Sequence, residues 1–185
     1  MKKLSAGRLL EDQLARSMGL DKYADIMNGA REKDVSCDKE FQRSFNAFYR
    51  VRRNAEWRES YYKLFERAKK EHCSFADVIG LLYVETGNVE ASFSSKMIAT
   101  INSEMPIWDQ HVLKNLGLVL NGKEPRERIG NAIQIYDQIC GWYRDYLMTD
   151  DARENIAEFD RWLPSYIWIG NIKKIDYLLW SNREG

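Results

Sequence analysis

The fold is indicated most clearly by residues 125–147, which read PRERIGNAIQIYDQICGWYRDYL. Proline stands at the first position, where a helix does not use the missing N–H. Apolar side chains then recur at intervals of three and four residues, the period of a helix with one buried face. They are Ile129, Ala132, Ile133, Tyr136, Ile139, Tyr143 and Leu147. We therefore predict a long amphipathic helix over this segment.

The same period continues towards the N-terminus in three further stripes. The stripes contain Leu9, Leu10, Leu14 and Met18, then Phe41, Phe45, Phe48 and Arg52, then Trp57, Tyr61, Leu64, Phe65 and Ala68. We expect Gly19 to end the first helix and Arg53 with Asn54 to separate the next two. Ser74 and Asp77 resemble a capping box, which would start a helix that ends near Gly87.

The remaining sequence also favours helices. Further helices are predicted over about 95–102, 108–117, 149–164 and 172–179. No stretch alternates between apolar and polar residues as a half-buried strand does. The sequence therefore predicts an all-α protein, a compact multi-helix domain over residues 1–185, and leaves open a division into two helical lobes.

Composition excludes several classes of protein. The chain has 185 residues, of which 44% are hydrophobic and 12% aromatic, so disorder is not expected. No apolar run approaches the ~20 residues of a membrane span. The N-terminus lacks the apolar core of a signal peptide, which predicts a cytoplasmic protein. Three widely spaced cysteines and two histidines predict neither a disulfide framework nor a zinc site, and we expect no cofactor.

Charge is balanced overall but uneven along the chain. The formal net charge is zero. Residues 39–72 contain ten Lys or Arg against five Asp or Glu, whereas residues 137–160 contain seven acids against two bases. The pattern is consistent with a basic and an acidic functional face, or with solvated helix surfaces that attract each other.

Candidate chemistry is concentrated in residues 92–118, SFSSKMIATINSEMPIWDQHVLKNLGL. Asp109 comes before an apolar stripe at helical spacing, which predicts an N-cap at the first turn of a short helix. Lys96 is expected in the first turn of its own helix, after a capping Ser94 or Ser95. A helix dipole would lower the pKa of an amine at that position, as a reactive lysine requires. The alternative interpretation of Lys96 is a solvated lysine on the protein surface. Trp108 and His111 are either packing residues or the walls of a pocket.

Residues 106–112, PIWDQHV, resemble the V-D-T-H-V segment of the helix-hairpin-helix DNA glycosylase superfamily. In that superfamily an Asp opens a helix that ends in Leu-Gly, as Asp109 does here with Leu116 and Gly117. Lys96 matches the lysine of the family's G-R-K-T-A segment. Residues 87–118 are thereby identified as a glycosylase-like hairpin and catalytic-Asp segment.

The resemblance implies cleavage of an N-glycosidic bond on a flipped-out damaged base in double-stranded DNA. Lys96 would attack the sugar C1′ and form a Schiff base. Asp109 would stabilise the cationic sugar or activate the nucleophile. Base flipping needs a basic groove, for which residues 45–62, FNAFYRVRRNAEWRESYY, are the candidate.

The arginines of that segment are Arg50, Arg52, Arg53 and Arg58. Interleaved with aromatic rings, they could hold phosphates and stack on bases. The alternative is an amphipathic helix pair with inward aromatic rings, in which the arginines pair with Glu56, Glu59 and Asp38.

Other functions stay open because the sequence departs from the family pattern. The superfamily hairpin reads L-P-G-x-G, whereas residues 87–93 here read GNVEASF. A second hypothesis is therefore a non-catalytic helical module that binds a protein partner, nucleic acid or a second copy of itself. A third is an enzyme that uses Lys96 and Asp109 on another substrate.

Overall fold

The computed structural model describes residues 18–181, which form nine α-helices and one short 3-10 turn. The helices are α1 (Met18–Glu32), α2 (Lys39–Phe48), α3 (Ala55–Glu71), α4 (Phe75–Thr86), α5 (Ala91–Ile101), α6 (Gln110–Leu116), α7 (Pro125–Leu147), α8 (Asp150–Trp162) and α9 (Asn171–Ser181). The 3-10 turn covers Pro164–Tyr166. These residues contain no β-strand, and the all-α prediction is confirmed.

Local chemistry fixes most helix ends where the sequence predicts them. Ser74 and Asp77 form the capping box of α4, with each side chain bonded to the other residue's backbone N–H. Thr149 caps α8, and Pro125 is the first residue of α7. Gly87 ends α4 with φ 70°, a left-handed conformation that glycine adopts without a steric penalty.

The prediction that Gly19 ends a helix is wrong. Gly19 is the second residue of α1, while the stripe of Leu9, Leu10 and Leu14 lies outside the described residues. A single glycine costs a helix only about 1 kcal/mol. Burial of a stripe of Tyr23, Ile26, Met27 and Ala30 outweighs that cost.

The break between α2 and α3 is longer than predicted. Helix α2 ends at Phe48, and Arg52 therefore does not continue its apolar stripe. Residues 49–54 form a non-helical connection in which Arg50 has φ 53°. This left-handed conformation is unfavourable for a residue with a Cβ atom. The connection exposes Arg50 and Arg52 to solvent.

Buried side chains from all nine helices form one hydrophobic cluster. Helix α1 packs on α2 and α5, and α9 packs on α6, α7 and α8. The cluster is rich in aromatic rings: Phe45 is fully buried and contacts Phe41, Tyr49, Tyr61, Tyr62 and Phe65. Within residues 18–181, the helices are too short or too polar to cross a bilayer.

We expect Phe45→Ala to lower the free energy of unfolding by about 3–5 kcal/mol, because it opens a cavity at the centre of this ring cluster. Val84→Ala is the matched control, since Val84 is 77% exposed and should change stability by less than about 0.5 kcal/mol. Urea unfolding followed by far-ultraviolet circular dichroism measures both. Equal losses would contradict the packing described here.

Candidate functional site

Four charged residues approach one another where α5, the start of α6 and α9 meet. Lys96 lies on α5, Asp109 precedes α6, and Lys173 and Asp176 lie on α9. Asp109 acts electrostatically on Lys96, Lys173 and Asp176. The fold therefore brings together the two candidate catalytic residues of the sequence and adds two that the sequence did not predict.

Lys96 is not in the first turn of its helix, and its side chain is half-buried. Helix α5 begins at Ala91, four residues before the predicted start, and Lys96 lies in its second turn. Its amine nitrogen stands 5.8 Å from the ring centre of Tyr49 and 5.1 Å from that of Phe93. Both distances are in the range of cation–π contacts. The half-buried side chain therefore lies against two aromatic rings, away from the helix N-terminus.

Asp109 is the N-cap that the sequence predicts. Its Oδ1 accepts a hydrogen bond of 2.7 Å from the backbone N–H of His111, and α6 ends at Gly117 with φ 67°. Capping uses one carboxylate oxygen. The side chain is half-buried, so the negative charge can still act on groups beside the helix end.

Two serines of α5 hold the residue before Asp109. The backbone N–H of Trp108 donates to Ser95 Oγ at 2.9 Å, and the Trp108 carbonyl accepts from Ser92 Oγ at 3.1 Å. Ser95 Oγ in turn donates to the Ser92 carbonyl at 2.9 Å. These bonds fix Asp109 relative to Lys96, which directly follows Ser95. Ser95, one of the two serines predicted as a helix cap, therefore positions the site instead.

The α9 residues are held from the opposite side. Tyr143 donates a short hydrogen bond to Asp176 Oδ1. Lys173 Nζ lies 3.9 Å from Asp176 Oδ2. Charged residues within the predicted apolar stripe of α9 are the signal that could have revealed this part of the site.

Burial shifts the pKa of each α9 residue and of Lys96. It lowers the pKa of Lys96, an effect that Asp109 opposes and Lys173 reinforces. Burial also lowers the pKa of Lys173, against the attraction of Asp176 and Asp109. It raises the pKa of Asp176 to about 6, although Lys173 and the Tyr143 hydroxyl favour the charged carboxylate. The pKa of each of these groups therefore depends on the charges of its neighbours in the site.

The four candidate DNA-binding arginines differ in their surroundings. Arg53 forms an ion pair of 2.6 Å with Glu90 and lies over the rings of Trp57 and Phe93. Arg58 donates to the Asn54 carbonyl at 3.3 Å. Arg50 and Arg52 are exposed and have no ion pair within the described part of the chain. Two of the four are thus free to contact a ligand.

The alternative prediction, in which these arginines pair with carboxylates of the neighbouring helices, named the wrong partners. Glu59 pairs with Lys63, and Asp38 pairs with Lys33. The aromatic rings of the segment do point inward, as that alternative expected: Phe45, Trp57, Tyr61 and Tyr62 are buried.

Trp108 belongs to the core. Its side chain is 5% exposed and stacks on Phe75, whose ring stacks on Tyr136. His111 is half-buried beside Asp109. Over residues 18–181, no three His, Cys, Asp or Glu side chains gather into a metal-binding group.

Comparison of the chain with models of known protein families, with curated proteins and with solved structures gives no match.

We expect Ser95→Ala to lower the free energy of unfolding by about 1–3 kcal/mol, because it leaves the buried Trp108 N–H without an acceptor. Ser94→Ala is a matched control. Ser94 is equally buried, but its hydroxyl has no hydrogen-bond partner among residues 18–181. Removing that hydroxyl should leave stability unchanged or raise it. Thermal or urea unfolding compares the two variants, and equal effects would contradict this role of Ser95.

Proposed function

We propose that this chain is a DNA glycosylase of the helix-hairpin-helix type, with Lys96 as an amine nucleophile and Asp109 as its carboxylate partner. The carrying observation is the joint position of these residues: a partly buried lysine with a lowered pKa lies within the electrostatic reach of a carboxylate fixed at a helix N-terminus. A lowered pKa leaves more of the amine neutral, which is the form that attacks carbon.

The proposed reaction balances with these two residues and the leaving base. The neutral amine of Lys96 bonds to the sugar C1′ while the bond from C1′ to the base breaks. The base leaves with the electron pair and is protonated. The Asp109 carboxylate stabilises the positive charge that develops on the sugar. One proton from the Lys96 nitrogen neutralises the departed base. The sugar ring then opens at its oxygen, which takes the second proton from that nitrogen, and the imine results.

The connection between α4 and α5 supports the same proposal. Only residues 87–90 separate these helices, and the helices pack on each other as a helical hairpin. The loop leads directly into the helix that carries Lys96. The exposed Arg50 and Arg52 follow Tyr49, whose ring contacts the Lys96 amine, so a DNA phosphate bound there would lie near the site.

The Arg53–Glu90 ion pair favours a second candidate function. It places a carboxylate at the end of the hairpin loop, where the resembled family holds a DNA phosphate with backbone amides. This arrangement and the zero net charge suit a non-catalytic module that binds protein partners through its charged surfaces.

The catalytic proposal predicts a covalent link between Lys96 and DNA. Borohydride should trap the wild-type protein on at least one duplex containing an abasic site, an oxidised or alkylated purine, or uracil. Lys96→Ala should abolish trapping, because it removes the attacking amine. Lys63→Ala, which removes an exposed lysine of α3, should leave trapping unchanged. Denaturing gel electrophoresis reads the products.

Asp109→Asn completes this test. Asparagine retains an N-cap oxygen, so folding should change by about 1 kcal/mol or less. Loss of the negative charge should lower turnover of the trapped substrate by about 100-fold or more. Absence of trapping on every duplex, or trapping that persists in Lys96→Ala, would contradict the catalytic proposal.

Binding to DNA should depend on the two free arginines. Arg52→Ala should weaken binding to any duplex and reduce the slope of log affinity against log salt by about 1, because one phosphate contact is lost. Arg50→Gly should do the same without loss of stability, since it relieves a left-handed residue. Fluorescence anisotropy at several salt concentrations measures this. Unchanged slopes in both variants would favour the protein-binding module.

A further inference from the structure

The aromatic ring of Phe93 has two cations close to it. Phe93 lies half-buried in the first turn of α5, and the Lys96 amine stands 5.1 Å from its ring centre. The guanidinium carbon of Arg53 stands 5.6 Å from the same centre. Both distances are in the range of cation–π contacts. One ring therefore contacts the candidate nucleophile and an arginine of the connection between α2 and α3.

The position of this ring is fixed by its neighbours. The Tyr61 hydroxyl donates to the Phe93 backbone carbonyl at 3.0 Å. The buried Trp57 ring lies 5.0 Å from the Phe93 ring, between centres, and stacks on Tyr61. Phe93 precedes Lys96 by three positions on the helix, so the two side chains share one face. A fixed ring can therefore restrict the direction of a flexible lysine side chain.

Glu90 explains why two cations can approach one ring. Its carboxylate pairs with Arg53 Nη2 at 2.6 Å, and its side chain is only 8% exposed. This pairing offsets the charge of Arg53 and reduces its repulsion of the Lys96 ammonium. Lys96 itself has no ion pair among residues 18–181. Its contacts with the rings of Phe93 and Tyr49 are therefore the ones that hold its charged end.

We propose that Phe93 is a positioning residue for Lys96: its ring face holds the side-chain nitrogen and favours the positive charge that this nitrogen acquires as it bonds to the sugar C1′. The inference rests on the proposed function insofar as Lys96 attacks DNA. The contact between the ring and the amine can be measured without any DNA.

The physical basis is the change of charge on the nitrogen. When the lone pair of the neutral amine forms the bond to C1′, the nitrogen becomes positive, and the ring face attracts a cation but not a neutral amine. The contact therefore strengthens as the bond forms, which lowers the barrier. Tyr49, at 5.8 Å from the amine, adds a second ring of the same kind. The rings also favour the resting ammonium, and burial, which lowers the pKa of Lys96, opposes that effect.

The first test replaces Phe93 by mono-, di- and trifluorophenylalanine in turn. Fluorine withdraws electron density from the ring face and weakens its attraction for a cation, but it changes the shape of the side chain little. The pH midpoint of Lys96 acetylation by trace acetic anhydride, read by mass spectrometry of the Lys96 peptide, should fall at each step. Phe93→Leu should lower it by about 0.4–1 pH unit, and Phe93→Tyr, which retains a ring, should keep the wild-type midpoint.

Phe48 provides the matched control. It is half-buried, and its ring centre lies 4.8 Å from that of Tyr49, which also contacts Lys96. Among the described residues, however, no cation lies over the Phe48 ring. The same fluorinated residues at position 48 should therefore leave the acetylation midpoint unchanged.

The charged groups that face Lys96 are the same in all these variants. They are Asp109 from the start of α6, Lys173 from α9, and Arg53, which contacts the same ring. Circular dichroism checks that each variant is folded. The fluorinated residues nearly keep the shape of phenylalanine, so the series decides the question even if Phe93→Leu does not fold. An unchanged midpoint across the folded series, or an equal fall in the Phe48 series, would overturn the inference.

The trapping assay separates this inference from the proposed function. At a pH above every midpoint, where Lys96 is neutral in all variants, borohydride trapping should slow by about two- to tenfold across the Phe93 series. An equal trapping rate throughout the series would overturn the role of Phe93 in bond formation. If the midpoint falls but no duplex traps, the contact between ring and amine stands, and the glycosylase proposal fails together with the part of the inference that concerns C1′. If the wild type traps and the midpoint does not move, the glycosylase proposal stands and the role of Phe93 is overturned.

Discussion

The hydroxyl of Ser95 is the contact on which the arrangement of the site depends. It accepts from the backbone N–H of Trp108 and donates to the backbone carbonyl of Ser92. The bond from Trp108 is buried and the bond to Ser92 is partly buried, so loss of the Trp108 bond would leave a buried N–H without a partner. Through them, the short segment before α6 is held against α5, and Asp109 comes within electrostatic range of Lys96. The N-cap geometry of Asp109 then sets the direction of its carboxylate.

Charge compensation allows the site to exist within a hydrophobic core. Two lysines and two aspartates are removed wholly or partly from water where α5, α6 and α9 meet. A single buried charge would be expensive, whereas opposite charges with hydrogen-bond donors and aromatic rings around them offset much of that penalty. Because the compensation is only partial, the pKa of Lys96 is lowered and that of Asp176 is raised. Perturbed groups of this kind are frequent at functional sites.

The fold was largely predictable because helix signals are local. Caps at Ser74 and Thr149, a proline at the first turn of α7 and a glycine at the end of α4 each act within a few residues. The errors in the predicted helix ends arise from contacts between residues that are far apart in the chain. The start of α5 was misplaced because Ser94 and Ser95 look like caps in sequence, yet the Ser95 hydroxyl bonds the backbone of Trp108, 13 residues away.

The sequence by itself determined the all-α class, most helix ends and the capping role of Asp109. Each depends on the period of apolar residues or on contacts within one turn of helix. Only the tertiary structure decided that Lys96 lies against the rings of Tyr49 and Phe93, that Arg53 pairs with Glu90, and that Lys173 and Asp176 of α9 pair with each other. Burial and long-range charge act between residues far apart in the chain, and no local pattern encodes which of them will meet.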